Sequence, residues 1–135
     1  MRIAFASDEE APVVSVALDH LRRSGHEVDI VAMGAPWPEV GRRVGEEVAG
    51  GRADMGVVCC WTGTGVSIAA NKVTGIRAAL CGDAPTAAGA RRWNDANVLA
   101  LSIRTTTDAL AIEIVDAFLS ARPDPDEAPV IAGLE

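Results

Sequence analysis

The chain contains no tyrosine, and its only aromatic side chains are three tryptophans and two phenylalanines. An aromatic cage or a base-stacking platform is therefore not expected. Cysteine is scarce as well: Cys59, Cys60 and Cys81 are too few, and two of them too close together, for a disulfide framework. Positive charge is in short supply, with 12 Lys and Arg against 19 Asp and Glu, a net charge of -7 and a pI near 4.8. That balance excludes a nucleic-acid or acidic-membrane surface as partner, but not a small anion held at a locally positive site. No apolar run approaches the ~20 residues of a membrane helix. The N-terminus has no signal-peptide pattern, so a cytoplasmic, reduced protein is expected. Gly63-x-Gly65 lacks the third glycine of a dinucleotide fingerprint, since Ile68 stands there, and no Gly-Lys-Ser/Thr follows. No cofactor and no metal site are expected.

What is present is alternation. At 135 residues, 49% of them hydrophobic, the chain suits one domain with a full core. Apolar runs at Ile3–Ala6, Val28–Met33, Met55–Cys59, Ile76–Cys81 and Val98–Ile103 read as five strands. Between them lie helical stripes: Val14, Leu18 and Leu21 ending near Gly25, then Val40, Val44 and Val48 after Pro38. A third helix follows Gly65 and runs through Ile68 to about Lys72. A fourth starts at Asp83 and Pro85 by cap and first-turn preference, and a fifth after Thr106 or Thr107 carries Leu110, Ile114 and Phe118. Near-continuous apolar strands separated by helices predict a single-domain three-layer α/β/α sandwich around a five-stranded parallel, Rossmann-like sheet. Residues 1–121 form this domain; 122–135, with three prolines, read as an extended C-terminal tail.

In such sheets ligands sit beyond the carboxyl ends of the strands, where Asp8, Cys60, Thr62 and Asp83 all fall. The densest chemistry is Cys60-Trp-Thr-Gly-Thr-Gly-Val-Ser-Ile-Ala-Ala-Asn-Lys72, a strand end, a glycine turn and a helix start. It gathers a thiol, hydroxyls and unpaired N–H groups. A helix N-terminus favours anions and the thiolate form of a nearby cysteine. Cys59 and Cys81 read as core, His20 and His26 as surface residues, and Arg91 and Arg92 as part of a solvated face.

That block, followed by Gly75-Ile-Arg-Ala-Ala-Leu-Cys81 and Asn94-Asp-Ala-Asn-Val-Leu-Ala-Leu101, resembles the type B ribose-5-phosphate isomerases and their galactose-6-phosphate isomerase relatives. The resemblance implies a metal-independent aldose–ketose isomerase working through a cis-enediolate. It also implies a homodimer or homotetramer whose sites are completed at the subunit interface. By the same resemblance Cys60 is the base, and Val66 stands where other members carry a glutamate. Thr62 supplies a hydroxyl to the intermediate, and Gly63, Thr64, Gly65, Val66 and Ser67, with Asn71, form the anion-stabilising nest. Asp8 holds sugar hydroxyls, Asn94 contacts substrate and Arg104 can lie near a phosphate.

Departures from the family pattern cluster on two tasks. Asp8-Glu9 replaces Asp-His, Cys81-Gly82-Asp83 replaces Cys-His-Asp, and the tail carries one arginine and four carboxylates in place of a basic segment. A charged hydrogen bond contributes about 1.5–3 kcal/mol, so the absence of two or three such groups weakens phosphate binding by orders of magnitude. Glu9 or Asp83 could take over the absent histidine's role. Trp61 replaces a glycine and Trp37 a tyrosine, and the two could cover an apolar face of the substrate. The expected substrate is thus a sugar or sugar phosphate, with a non-phosphorylated or modified sugar favoured. The alternatives are a non-catalytic sugar-binding or regulatory module on the same fold, and a thiol-redox protein using Cys59 and Cys60.

Overall fold

A computed structural model describes all 135 residues. The chain folds as β1 (Arg2–Ser7), α1 (Pro12–Arg23), β2 (Glu27–Met33), α2 (Trp37–Ala49), β3 (Met55–Cys60), α3 (Thr64–Asn71), β4 (Ala78–Leu80), α4 (Ala84–Asn94), β5 (Val98–Ser102) and α5 (Asp108–Ser120). The five strands make one parallel sheet in the order β2-β1-β3-β5-β4.

Strand residues alternate between two cores, as a period of two requires. Ile3, Phe5, Val57, Cys59, Leu99 and Leu101 face α1, α4 and α5, where Leu21, Ile114 and Phe118 close the layer. Ala4, Ala6, Val58, Cys60, Val98 and Ala100 face α2 and α3, against Val40, Val44 and Val66. The adjacent thiols of Cys59 and Cys60 therefore leave opposite faces of the sheet and cannot pair; all three cysteines are free. The redox alternative fails on that geometry. Close approach of α2 to α3 depends on Gly41, where a Cβ would fall 2.6 Å from both the Ala69 Cβ and the Val66 carbonyl oxygen.

Several local expectations are corrected. The fourth strand is Ala78–Leu80 rather than Ile76–Cys81. Ile76 closes a turn onto the Val73 carbonyl, and the Arg77 N–H donates to the Asn97 side chain instead of a neighbouring strand. The third helix starts at Thr64, ahead of Gly65 rather than after it. Residues 122–135 are not extended: they form short helical turns at Pro125–Glu127, Ala128–Ile131 and Ala132–Leu134, held to α4 by the Asp124 N–H on the Arg92 carbonyl. Arg91, expected on a solvated face, is buried. Its guanidinium lies 5.8 Å from the Phe118 ring centroid and donates to Asp95 and to the Ala96 carbonyl. No helix is long and apolar enough to cross a membrane.

Candidate active site

Chain direction reverses between two adjacent strands. From β1 the chain leaves through α1 toward β2 at one edge, and from β3 it leaves through α3 toward β4 at the other. Such a switch point opens a crevice at the carboxyl ends of the two strands. Asp8, the residue after β1, donates its N–H to the Cys59 carbonyl at 3.2 Å, which ties the two strand ends together. A cleft of about 360 Å³ lies there. Its floor and sides are Asp8, Cys60, Trp61, Thr62, Thr64 and Gly65, and its outer walls are Trp37 and Ile68.

Cys60 is the last residue of β3 and is only 4% exposed. It is the one cysteine on the cleft. Burial pushes the Cys59 thiol up to about 12 and the Cys81 thiol up to about 11, so neither supplies a thiolate near neutrality. The turn after Cys60 is pinned to the end of β5. Ile103 N–H donates to the Cys60 carbonyl (3.0 Å), while Arg104 N–H (2.8 Å) and the Ser102 hydroxyl (3.1 Å) donate to the Trp61 carbonyl. Gly63 then takes φ +77, and a Cβ there would lie 3.0 Å from the backbone of Leu101 and Ser102. The left-handed conformation turns the chain straight into α3.

Within α3, Ser67 is the first residue whose N–H reaches an intrahelical acceptor, the Gly63 carbonyl at 3.3 Å. The donors of Thr64, Gly65 and Val66 ahead of it are those a first helical turn leaves open. Thr62 and Thr64 share one hydrogen bond between hydroxyls at 2.8 Å. Two hydroxyls carry two protons, so one remains for a ligand. Across the cleft, Oδ1 of Asp8 is buried with no hydrogen-bond partner in the chain. Burial, followed by the charge of Glu9, holds the Asp8 carboxyl above its ordinary range. Gly65 makes room for an indole: a Cβ there would fall 2.8 Å from the Trp37 ring. No three His, Cys, Asp or Glu side chains converge as a metal ion would need.

Eight residues thus meet at the cleft, including seven of those expected from the sequence: Asp8, Trp37, Cys60, Trp61, Thr62, Thr64 and Gly65. Gly63 and Ser67 contribute through the backbone of the turn and the first helical turn. Val66 contributes only its N–H, since its side chain is fully buried among the α2–α3 core. Glu9 is exposed beside Asp8 and does not line the cleft; its carbonyl accepts from the Ser7 hydroxyl. Asp83 is committed as the N-cap of α4, accepting from the Thr86 N–H at 2.8 Å. Arg104 approaches through its backbone while its exposed side chain lies outside the lining.

Asn71 and Asn94 are elsewhere. α3 is 8 residues long, so at about 1.5 Å per residue Asn71 sits roughly 12 Å from its start. Asn71 brackets the exposed edge of β4, accepting from the Ala78 N–H at 2.7 Å and donating to the Ala78 carbonyl at 3.0 Å. With Asn94 it lines a larger cavity of about 690 Å³ at the amino end of β4, covered by Leu134 and Glu135. No cysteine or histidine lines that cavity. Asn71→Ala should lower stability by about 1–2 kcal/mol through removal of two hydrogen bonds while kcat stays at wild type; a collapse of kcat in a folded variant would return Asn71 to the site. Ile68 was missed by sequence reasoning, although an apolar residue on the outer side of α3, opposite buried Val66 and Ala70, was its visible signal.

The family model described as Ribose/Galactose Isomerase matches residues 3–129 of this chain. The galactose-6-phosphate isomerase subunit LacB of Clostridium acetobutylicum is 38% identical over 144 residues, spanning 100% of this chain and 82% of the relative. Ribose-5-phosphate isomerase B of Escherichia coli is 38% identical over 128 residues, covering 90% and 85%. Among solved structures, Clostridium thermocellum ribose-5-phosphate isomerase B superposes with a TM-score of 0.94 at 37% identity, covering 99% of this chain and 95% of that one.

Proposed function

The chain belongs to the ribose/galactose isomerase family and is a sugar isomerase; from that premise we propose that it interconverts an aldose and a ketose through a cis-enediolate, with Cys60 as the base. The observation that carries this reading is the meeting of one thiol, one hydroxyl pair and an open helix start at a single switch point. With C1 and C2 of the sugar over Cys60, the thiolate removes the proton from C2. The electron pair moves into the C1–C2 bond and the carbonyl pair moves onto O1. Donors of the α3 first turn and the Thr62 hydroxyl face the developing oxyanion, where fixed donors in a partly buried cleft act most strongly. A proton passes from O2 to O1, the thiol returns its own to C1, and the ketose is formed. Asp8 accepts a sugar hydroxyl. The test is solvent exchange: in heavy water the wild-type protein should introduce deuterium at C2 of its aldose, and a folded protein that leaves C2 unlabelled in every pentose and hexose, free or phosphorylated, would refute the reading.

The functional unit in this reading is a homodimer or a larger even assembly. Asn94 lies at the far end of α4 from Asp83, about 16 Å away along an 11-residue helix, and on a different cavity from Cys60. One sugar touches both only if they come from two subunits. Exposed Trp37, Trp61 and Ile68 around an open cleft support a partner there. Mixing Cys60→Ala with Asn94→Ala, each inactive alone, should restore about a quarter of wild-type activity, since half the random dimers are mixed and each has one intact site. No recovery after subunit exchange shown by native mass spectrometry would rule out shared sites.

A further inference from the structure

The cleft walls beyond Cys60 and Thr62 carry information about the rest of the sugar. No lysine, arginine or histidine lines the cleft. The five loops at the carboxyl ends of the strands (residues 8–11, 34–36, 61–63, 81–83 and 103–107) hold four carboxylates, Asp8, Glu9, Glu10 and Asp83, against one cation, Arg104. Arg104 comes close only through its N–H on the Trp61 carbonyl. The buried Oδ1 of Asp8 is an acceptor without a donor, which suits a hydroxyl and repels a phosphate oxygen. No cation contributes to the environment of the Asp8 carboxyl, which burial and Glu9 both disfavour as an anion. The cavity that holds Asn94 does not redress this: its one cation, Arg77, is already paired with Asp95 at 3.2 Å and lies 4.0 Å from Glu135.

The remaining walls are apolar. Trp37 and Trp61 are about half exposed, and Ile68 stands beside them. An indole face is electron-rich and attracts weakly positive C–H groups such as those on one face of a sugar.

We propose that the substrate is an unphosphorylated aldose or ketose, a neutral sugar whose C–H face lies on Trp37 and Trp61 and one of whose hydroxyls donates to Asp8. This rests on the isomerase reading above. The experiment compares kcat/KM for deuterium incorporation at C2 across matched pairs of free pentoses and hexoses and their phosphate esters, with inorganic phosphate added as a competing probe. The expected result is a free sugar preferred over its ester by about tenfold or more, no rise in KM with inorganic phosphate, and a KM raised about tenfold by Trp61→Ala with little change in kcat. Equal or better turnover of the ester, or competition by inorganic phosphate, overturns the neutral-substrate proposal and leaves the isomerase intact. Labelling of neither class overturns both.

Discussion

Cys60→Ala should abolish isomerisation, lowering kcat/KM by about 10²–10⁴-fold, the contribution of a positioned general base. In barrier terms the loss is about 3–5 kcal/mol. The effect belongs to Cys60 alone because the fold separates the three thiols. Cys59 points into the opposite core and Cys81 is buried behind the end of β4, each with its thiol held far above neutrality. Cys59→Ala therefore provides the contrast: a small loss of stability from a trimmed core, with kcat/KM near wild type. Cys60→Ser should be nearly as inactive as Cys60→Ala, since a hydroxyl is a far weaker base than a thiolate. Deuterium incorporation at C2 reads all three variants on one scale, with circular dichroism as the check on folding. Turnover unchanged in folded Cys60→Ala would remove the base from the mechanism.

The second large effect is expected at Gly63. Gly63→Ala places a Cβ on a residue at φ +77, about 3.0 Å from the Leu101–Ser102 backbone, with the Leu80 side chain nearer still. Leu80 can move; the β5 backbone, paired with β3 through Cys60↔Ser102, cannot move without disturbing Cys60 itself. The left-handed conformation costs a non-glycine residue about 1–2 kcal/mol, and overpacking adds about 1–3 kcal/mol. A fall in Tm of about 10 °C follows for a domain of this size. The turn also aims the first-turn donors of α3 at the cleft, so kcat should fall even in the folded fraction. A variant with wild-type Tm and kcat would show that neither the φ nor the contact matters.

Which features could be read from residue order depends on how local the forces are. The alternation of Ile3, Phe5, Val57 and Val58 with helical stripes already specifies strands, helices and a parallel layered sheet, because a two-residue and a 3.6-residue period bury different sets of side chains. The glycine turn after Cys60 is equally local, so the thiol, Thr62, Thr64 and Gly65 fall together from their spacing alone. Errors arose where a partner distant in sequence intervened. The beginning of β4 was claimed by the Asn97 side chain, Arg91 was drawn into the core beneath Phe118, and the proline-rich tail coiled against α4. Asn71 belongs to the same glycine-rich block as Cys60, yet eight residues of helix carry it to the other end of the sheet.

Sequence by itself determined the fold class, the family resemblance and the residue we propose as the base, because each is written in neighbouring residues and short periods. Only the tertiary structure decided that Cys59 and Cys60 serve opposite cores, that Ile68 walls the cleft, and that Asn94 stands apart from Cys60 in one subunit. The reason is that strand order and helix length, not distance along the chain, decide which side chains share a crevice.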